Sequence, residues 1–138
     1  MPPGHLPLSR YLEWLRTHHA GAIEFVVLFG SRARGDALED SDYDLLVGLC
    51  RADELRLTDR IAVYQDLVTG KVEVLPYPVS ELRQMLDDRN GLVLNALADG
   101  LTLYDRGPWS DLQAEFRTLL KEGEIRRFPG GWEFVRPE

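Results

Sequence analysis

The chain has 138 residues, 44% of them apolar and 28% charged, which fits one globular domain able to bury a single core without disulfides or structural metals. No apolar run approaches the ~18 residues that a membrane span needs, so no membrane-spanning role is expected. The net charge of −7 works against sequence-independent binding to a phosphate backbone, which draws on clustered Lys and Arg, and nucleic acid is a disfavoured partner.

Leu8, Tyr11, Leu12 and Leu15 recur at helical spacing and predict an amphipathic helix over about residues 7–19, with Pro7 or Ser9 near its start. The same stretch has no basic leader with a continuous apolar segment, so the cytoplasm is the expected compartment. Ala22 to Phe29, AIEFVVLF, is short, β-branched and aromatic, and it is bounded by Gly21 and Gly30; it predicts a strand covered on both faces. Gly30 to Ser41 reads as a polar loop and Asp42 to Leu49 as a second strand. Cys50, the single cysteine, ends that apolar run and reads as a buried inert thiol. Leu55, Ile61, Tyr64, Leu67 and Val68 support a helix stopped by Gly70. KVEVLPY is a third strand closed by proline, and Ser80 is the expected cap of a helix carrying Leu82, Met85 and Leu86. A short helix follows Asn90-Gly91 through Ala98, then a fourth strand from Gly100 to Asp105. A last helix from Pro108 to Lys121 has Trp109, Leu112, Phe116, Leu119 and Leu120 as its apolar side. The tail carries Phe128, Trp132 and Phe134 without a clear period and reads as an extended arm or edge strand, with Trp132 a packing residue or the anchor of a partner.

About a dozen residues join the first two strands, which points to an α+β fold with a mixed β-sheet flanked by helices. The expected organisation is a domain over residues 1–105, with residues 106–138 forming a C-terminal helix and arm packed on it.

The chemistry concentrates in FGSRARGDALEDSDYDLLV, residues Phe29 to Val47. Side chains two apart on a strand point the same way, about 6.5–7 Å apart, so Asp42 and Asp44 share a face. Read as a bare pair they describe a solvated turn entering a strand; read with their surroundings they invite a hard cation such as Mg²⁺, which also binds substrate phosphates. Gly30 lets a ligand approach the backbone, and Ser31 offers a hydroxyl and an amide to phosphate oxygens. Arg32 and Arg34 are placed either to meet a phosphate or to hold an acid such as Asp40. Glu73 in VEVL is a third acid, either turned to solvent on an edge strand or completing the set if its strand lies beside Asp42 to Val47. Three acids around two Mg²⁺ ions about 3.5–4 Å apart would suit attack on the α-phosphorus of a nucleoside triphosphate with pyrophosphate leaving.

Gly30-Ser31, Arg34-Gly35 and Ser41-Asp42-Tyr43-Asp44-Leu45, in the pattern GSxxRGxxxxxSDxDLxV, resemble the signature of the DNA polymerase beta-like nucleotidyltransferases, specifically the minimal nucleotidyltransferases. The resemblance extends over Leu8 to Asp105 and implies the polymerase beta-like fold, with Asp42, Asp44 and Glu73 as catalytic metal ligands and Gly30 and Ser31 at the triphosphate of ATP; Arg34 is a further candidate for the triphosphate by its charge alone. Glu73 departs from the pattern, since the third acid is usually aspartate. Family members of this size often pair with a small helical HEPN protein as toxin and antitoxin, and some transfer AMP from ATP to a tyrosine of that partner. The chain leaves no room for the extra substrate domain of larger relatives, so a protein acceptor is expected. Two alternatives stay open: an inactive module that neutralises a partner by contact, and a subunit that modifies RNA or a small molecule. A homo-oligomer also stays open.

Other signals are weaker. Thr69-Gly70-Lys71 looks like the end of a P-loop, but Gln65 stands where its first glycine is required. His5, His18 and His19 lack metal-ligand spacing and read as exposed helix-end histidines.

Overall fold

A single apolar stripe on the first helix, α1 (Leu6–His19), buries Leu8, Tyr11 and Leu15. Each such side chain contributes about 1.5–3 kcal/mol of hydrophobic stabilisation. The computed structural model describes residues 6–38, 41–52, 54–66 and 70–135. After α1 a 3-10 turn, Ala20–Ala22, leads into β1 (Ile23–Phe29), a one-turn helix α2 (Ser31–Arg34) and β2 (Tyr43–Leu49). Then come α3 (Leu57–Tyr64), β3 (Val72–Pro78), α4 (Val79–Asp87) and α5 (Gly91–Asp99). The chain continues through β4 (Leu101–Asp105), α6 (Pro108–Lys121) and a hairpin of β5 (Ile125–Phe128) and β6 (Gly131–Phe134).

The sheet has the order β3-β2-β1-β4. β1 runs antiparallel to β2 and to β4, whereas β2 and β3 are parallel because α3 returns the chain between them. The sheet is therefore mixed, as the short first connection requires. Alternation along the strands feeds two cores. Val26 and Leu28 of β1, Tyr43, Leu45, Val47 and Leu49 of β2, and Val72 and Val74 of β3 pack with α1. Phe25, Val27 and Leu46 face the other way, against Leu82 and Leu86 of α4, Val93, Leu94 and Leu97 of α5, and Trp109, Leu112 and Phe116 of α6. Gly48 stands opposite Phe25, and a Cβ there would lie 2.3 Å from the ring. The missing side chain leaves room for that ring to reach Trp109, 4.9 Å away between centroids.

Two polar devices fix the frame. Arg60 of α3 is buried; it donates to the carbonyls of Leu55 and Pro76 at 3.2 and 2.9 Å and pairs with Glu81 of α4 at 3.3 Å, tying α3, β3 and α4 together. Asp105, at the end of β4, accepts from the amides of Gly107, Trp109 and Ser110 and from the Ser110 hydroxyl, so it organises the first turn of α6. Burial works against the Asp105 carboxylate, yet Ser110 and the three amides outweigh it and hold its pKa below the ordinary value.

Several expectations are corrected. Cys50 is exposed, because β2 ends at Leu49 and the chain emerges there. Ser80 is not a cap; α4 starts at Val79 after Pro78, whose extended backbone makes the entry without a side-chain bond. Asp42 precedes β2 rather than lying within it. α3 is shorter than expected, spanning Leu57–Tyr64, and Leu67, Val68 and Thr69 lie outside the described residues, as does His5. The arm is a hairpin, held by an Arg126–Glu133 pair across its strands. Among the described residues no helix is long and apolar enough to cross a membrane.

Candidate active site

Register brings the acids together. Asp44 of β2 pairs with Glu73 of β3 on one side and with Phe29 of β1 on the other. Asp44 alternates with Tyr43 and Leu45, so it shares a face with Leu46, on the side covered by α4, α5 and α6. Glu73, between Val72 and Val74, projects to that same face. The carboxylates stand at the end of this face, where β1 finishes and β2 begins. Asp44 is half-buried; Asp42 and Glu73 are exposed.

The segment expected as a loop after β1 contains α2, bracketed by glycines with positive φ, Gly30 at 74° and Gly35 at 83°. The Gly30 carbonyl accepts from the amides of Ala33 and Arg34, both at 3.1 Å, and the Ser31 carbonyl from those of Gly35 and Asp36 at 3.0 and 3.2 Å. A Cβ on Gly30 would lie 2.5 Å from Oδ2 of Asp44. Glycine here serves the left-handed backbone and also the close approach of the Asp44 carboxylate, the second of which spacing does not reveal.

The two arginines divide their work. Arg32 donates through Nε and Nη2 to the Ser41 carbonyl at 3.1 and 2.8 Å, and its guanidinium lies 4.5 Å above the Tyr43 ring. It braces the turn that presents Asp42; Asp40, its suggested partner, lies outside the described residues. Ser41, which the sequence reading gave no role, accepts from the Leu38 amide at 2.9 Å and so shapes the same turn. The signal was present in the serine before the first aspartate. Arg34 pairs with Asp36 at 3.2 Å on the surface, and its charge reaches Asp44. An exposed pair of that kind holds its arginine weakly.

Electrostatics at the mouth are unfavourable to the bare protein. Burial raises the pKa of Asp44; a hydrogen bond from Glu73 opposes this, the Asp42 charge adds to it, and Arg34 again opposes it. Glu73 is raised by burial of its carboxyl and then by the charges of Asp42 and Asp44, with both of which it also hydrogen-bonds. Glu73 is nevertheless exposed along its side chain, so the neighbouring acids, rather than a dry environment, are its distinctive feature. The donor set of three carboxylates suits a hard divalent cation, which would remove that repulsion. Among the described residues no three Asp, Glu, His or Cys side chains are placed so that together they could hold a metal ion as they stand, so the three acids would have to draw closer around one. An apolar cleft of about 330 Å³ between α1 and β4 is lined by Leu12, Leu15, Ile23, Val26, Leu103 and Tyr104 and lies apart from the acids.

The family described as "Polymerase beta, Nucleotidyltransferase" matches residues 13–108, and the chain belongs to it, a nucleotidyltransferase by class. It is 28% identical over 120 residues to the "Putative protein adenylyltransferase MJ1305" of Methanocaldococcus jannaschii, covering 83% of this chain and 81% of that one. A crystal structure of a "putative nucleotidyltransferase" from Sulfolobus solfataricus is similar at a TM-score of 0.51 and 25% identity, over 72% of this chain and 78% of the other. A chain of a toxin-antitoxin crystal structure with AMP-PNP shares the fold, with a TM-score of 0.55 and 14% identity over 83% and 88% of the two chains.

Proposed function

We propose that the protein transfers a nucleoside monophosphate, AMP from ATP, to a hydroxyl of a protein acceptor, as the antitoxin of a pair whose partner is a small helical HEPN protein. The single observation that supports this most is the register pairing of Asp44 with Glu73 beside Gly30, which puts the acids next to a Gly-Ser turn. In the reaction the acceptor hydroxyl oxygen bonds to the α-phosphorus and releases its proton to solvent, while the bond from the α-phosphorus to the oxygen bridging to the β-phosphorus breaks and pyrophosphate leaves. Asp42, Asp44 and Glu73 are the residues that would hold Mg²⁺, which supplies charge neutralisation to the triphosphate. Gly30 and Ser31 present the turn to the triphosphate, Arg34 contributes positive charge at its edge, and Arg32 with Ser41 keeps Asp42 in place. The catalytic unit is residues 1–105, with residues 106–138 packed on it.

The acceptor and partner draw on the relative named as a protein adenylyltransferase and on the fold shared with the toxin-antitoxin chain. Incubation with Mg²⁺, ATP labelled at the α-phosphate and the product of the neighbouring gene should label that product, and Asp44→Asn should abolish the label. A wild-type protein that binds ATP but labels nothing, while neutralising its partner equally well with and without nucleotide, would overturn transfer in favour of neutralisation by contact.

A further inference from the structure

The two outer strands of the sheet are treated differently. β3 is sealed along its free side: Gln65 donates through Nε2 to the Val72 carbonyl and accepts at Oε1 from the Val74 amide at 3.3 Å, and Arg60 donates to the Pro76 carbonyl at 2.9 Å. Pro76 and Pro78 bring no amide hydrogen to that side. Covering side chains and prolines of this kind keep an edge strand from pairing with another chain. β4, at the opposite edge, has none of them. Its sequence is LTLYD, and among the described residues no strand or side chain is hydrogen-bonded along its outer side.

The strand is also apolar where it meets solvent. Leu101, Leu103 and Tyr104 are 51%, 37% and 46% exposed. Val26 pairs with Tyr104 and Val27 with Thr102, so Leu103 is the extra residue of a bulge. Leu103 and Tyr104 both line the cleft against α1, together with Leu12 and Val26. The apolar strip therefore continues from β4 into that cleft, which gives it a breadth that a five-residue strand, about 17 Å long, lacks alone. From Gly100 to Tyr104 no residue is charged, and Asp105 is turned inward to the amides of Gly107, Trp109 and Ser110. In a chain of net charge −7, this is a place where two copies can meet without repulsion.

An open strand edge takes another strand, and an apolar strip takes another apolar strip. Within this chain β3 is sealed, and the hairpin strands are charged by Arg126, Arg127 and Glu133, so β4 is itself the match for β4. We propose that β4 is a homodimer joint: two copies pair β4 with β4, antiparallel about a two-fold axis, and their four-stranded sheets become one continuous sheet. Leu101 of each copy then lies at the Asp105 end of the other. Because Leu101 pairs with Leu28, beside the end of β1 that meets Asp44, the two acidic mouths open at opposite ends of the shared sheet.

Sedimentation velocity of the full-length protein, from about 1 to 100 μM, tests this. The wild type should sediment as a dimer that dissociates on dilution. Leu103→Glu, which sets two like charges in the joint, should raise the dissociation constant by at least about tenfold with the circular dichroism spectrum unchanged. A second variant serves if Leu103→Glu fails to fold. Thr102 is exposed, and Thr102→Cys in a Cys50→Ser background should be linked into covalent dimers by a short bismaleimide. A wild type that stays monomeric to about 100 μM, a dimer that folded Leu103→Glu leaves intact, or a Thr102→Cys protein that the reagent does not link overturns the inference. So does a wild type that is monomeric alone and whose complex with the product of the neighbouring gene is abolished by Leu103→Glu, since the edge would then serve that partner.

Discussion

Asp44 and Asp105 both sit at the end of a strand and both are half-buried, yet their surroundings are opposed. Asp105 receives three amides and a hydroxyl from the helix it starts, and its pKa is held down. Asp44 has acids for neighbours, and its pKa is pushed up. One carboxylate is completed by its own chain; the other stabilises the fold only once something else arrives. A pair of glycines marks the same division. Gly30 and Gly107 both have positive φ, but a Cβ at Gly30 meets Asp44 whereas at Gly107 it meets nothing within 4 Å.

The contrast can be broken at either end. The largest effect is expected for Asp44→Asn, which should reduce nucleotidyl transfer by at least about a thousandfold, measured as pyrophosphate release, with the fold intact. Gly30→Ala should follow, with transfer down by about ten- to a hundredfold, since a methyl displaces the Asp44 carboxylate; Gly107→Ala, strained only in its backbone, should cost stability of about 1 kcal/mol and leave transfer unchanged. Asp105→Ala should lower stability by about 2–3 kcal/mol in denaturant melts, because it strands three amides at the start of α6. Equal effects of the 44 and 105 substitutions on both readouts would erase the distinction.

A smaller effect concerns pH. Asp44 and Glu73 have raised pKa values when folded, so the folded chain holds their protons more tightly and is favoured at low pH. That advantage fades as pH rises from the ordinary carboxylate range through the raised values. Asp105 and Asp99 have lowered values; their contribution is present above the ordinary range and is lost as pH falls through the folded values. Metal-free protein in chelator should therefore melt highest at mildly acidic pH and lower at pH 8. Asp44→Asn should raise the metal-free melting temperature at pH 8 by a few degrees, on the order of 2–4 °C. Added Mg²⁺ should raise the wild type and not this variant. A melting temperature flat from pH 5 to 8 in chelator would remove the electrostatic half of the contrast.

The sequence made some of this legible for identifiable reasons. α6 was readable because Pro108 opens it and its buried side runs from Trp109 to Leu119, although Leu120, expected on that side, is exposed. Asn90 announced α5, and its side chain does accept from the amides of Leu92 and Val93. The placement of Asp44 beside Glu73 needed the order of the strands, which a dozen-residue link and an intervening helix only constrain. α2 is four residues long and too short to show a period, and the hairpin strands are equally short and mix charge with aromatics. Ser80 misled because a good capping residue counts for little where proline has already set the entry. Asp105 escaped notice because its partners lie two to five residues on, across Gly107 and Pro108, where no helical spacing points back to it.

Gly48 extends the lesson to evolvability. A library saturating this position should tolerate almost nothing, although it lies four residues along the strand from Asp44 of the candidate site, because even a methyl would strike the Phe25 ring at 2.3 Å. Escape would require a compensating smaller residue at position 25, and the vacancy so created against Trp109 would loosen α6. Positions 25, 48 and 109 should therefore drift together or stay fixed.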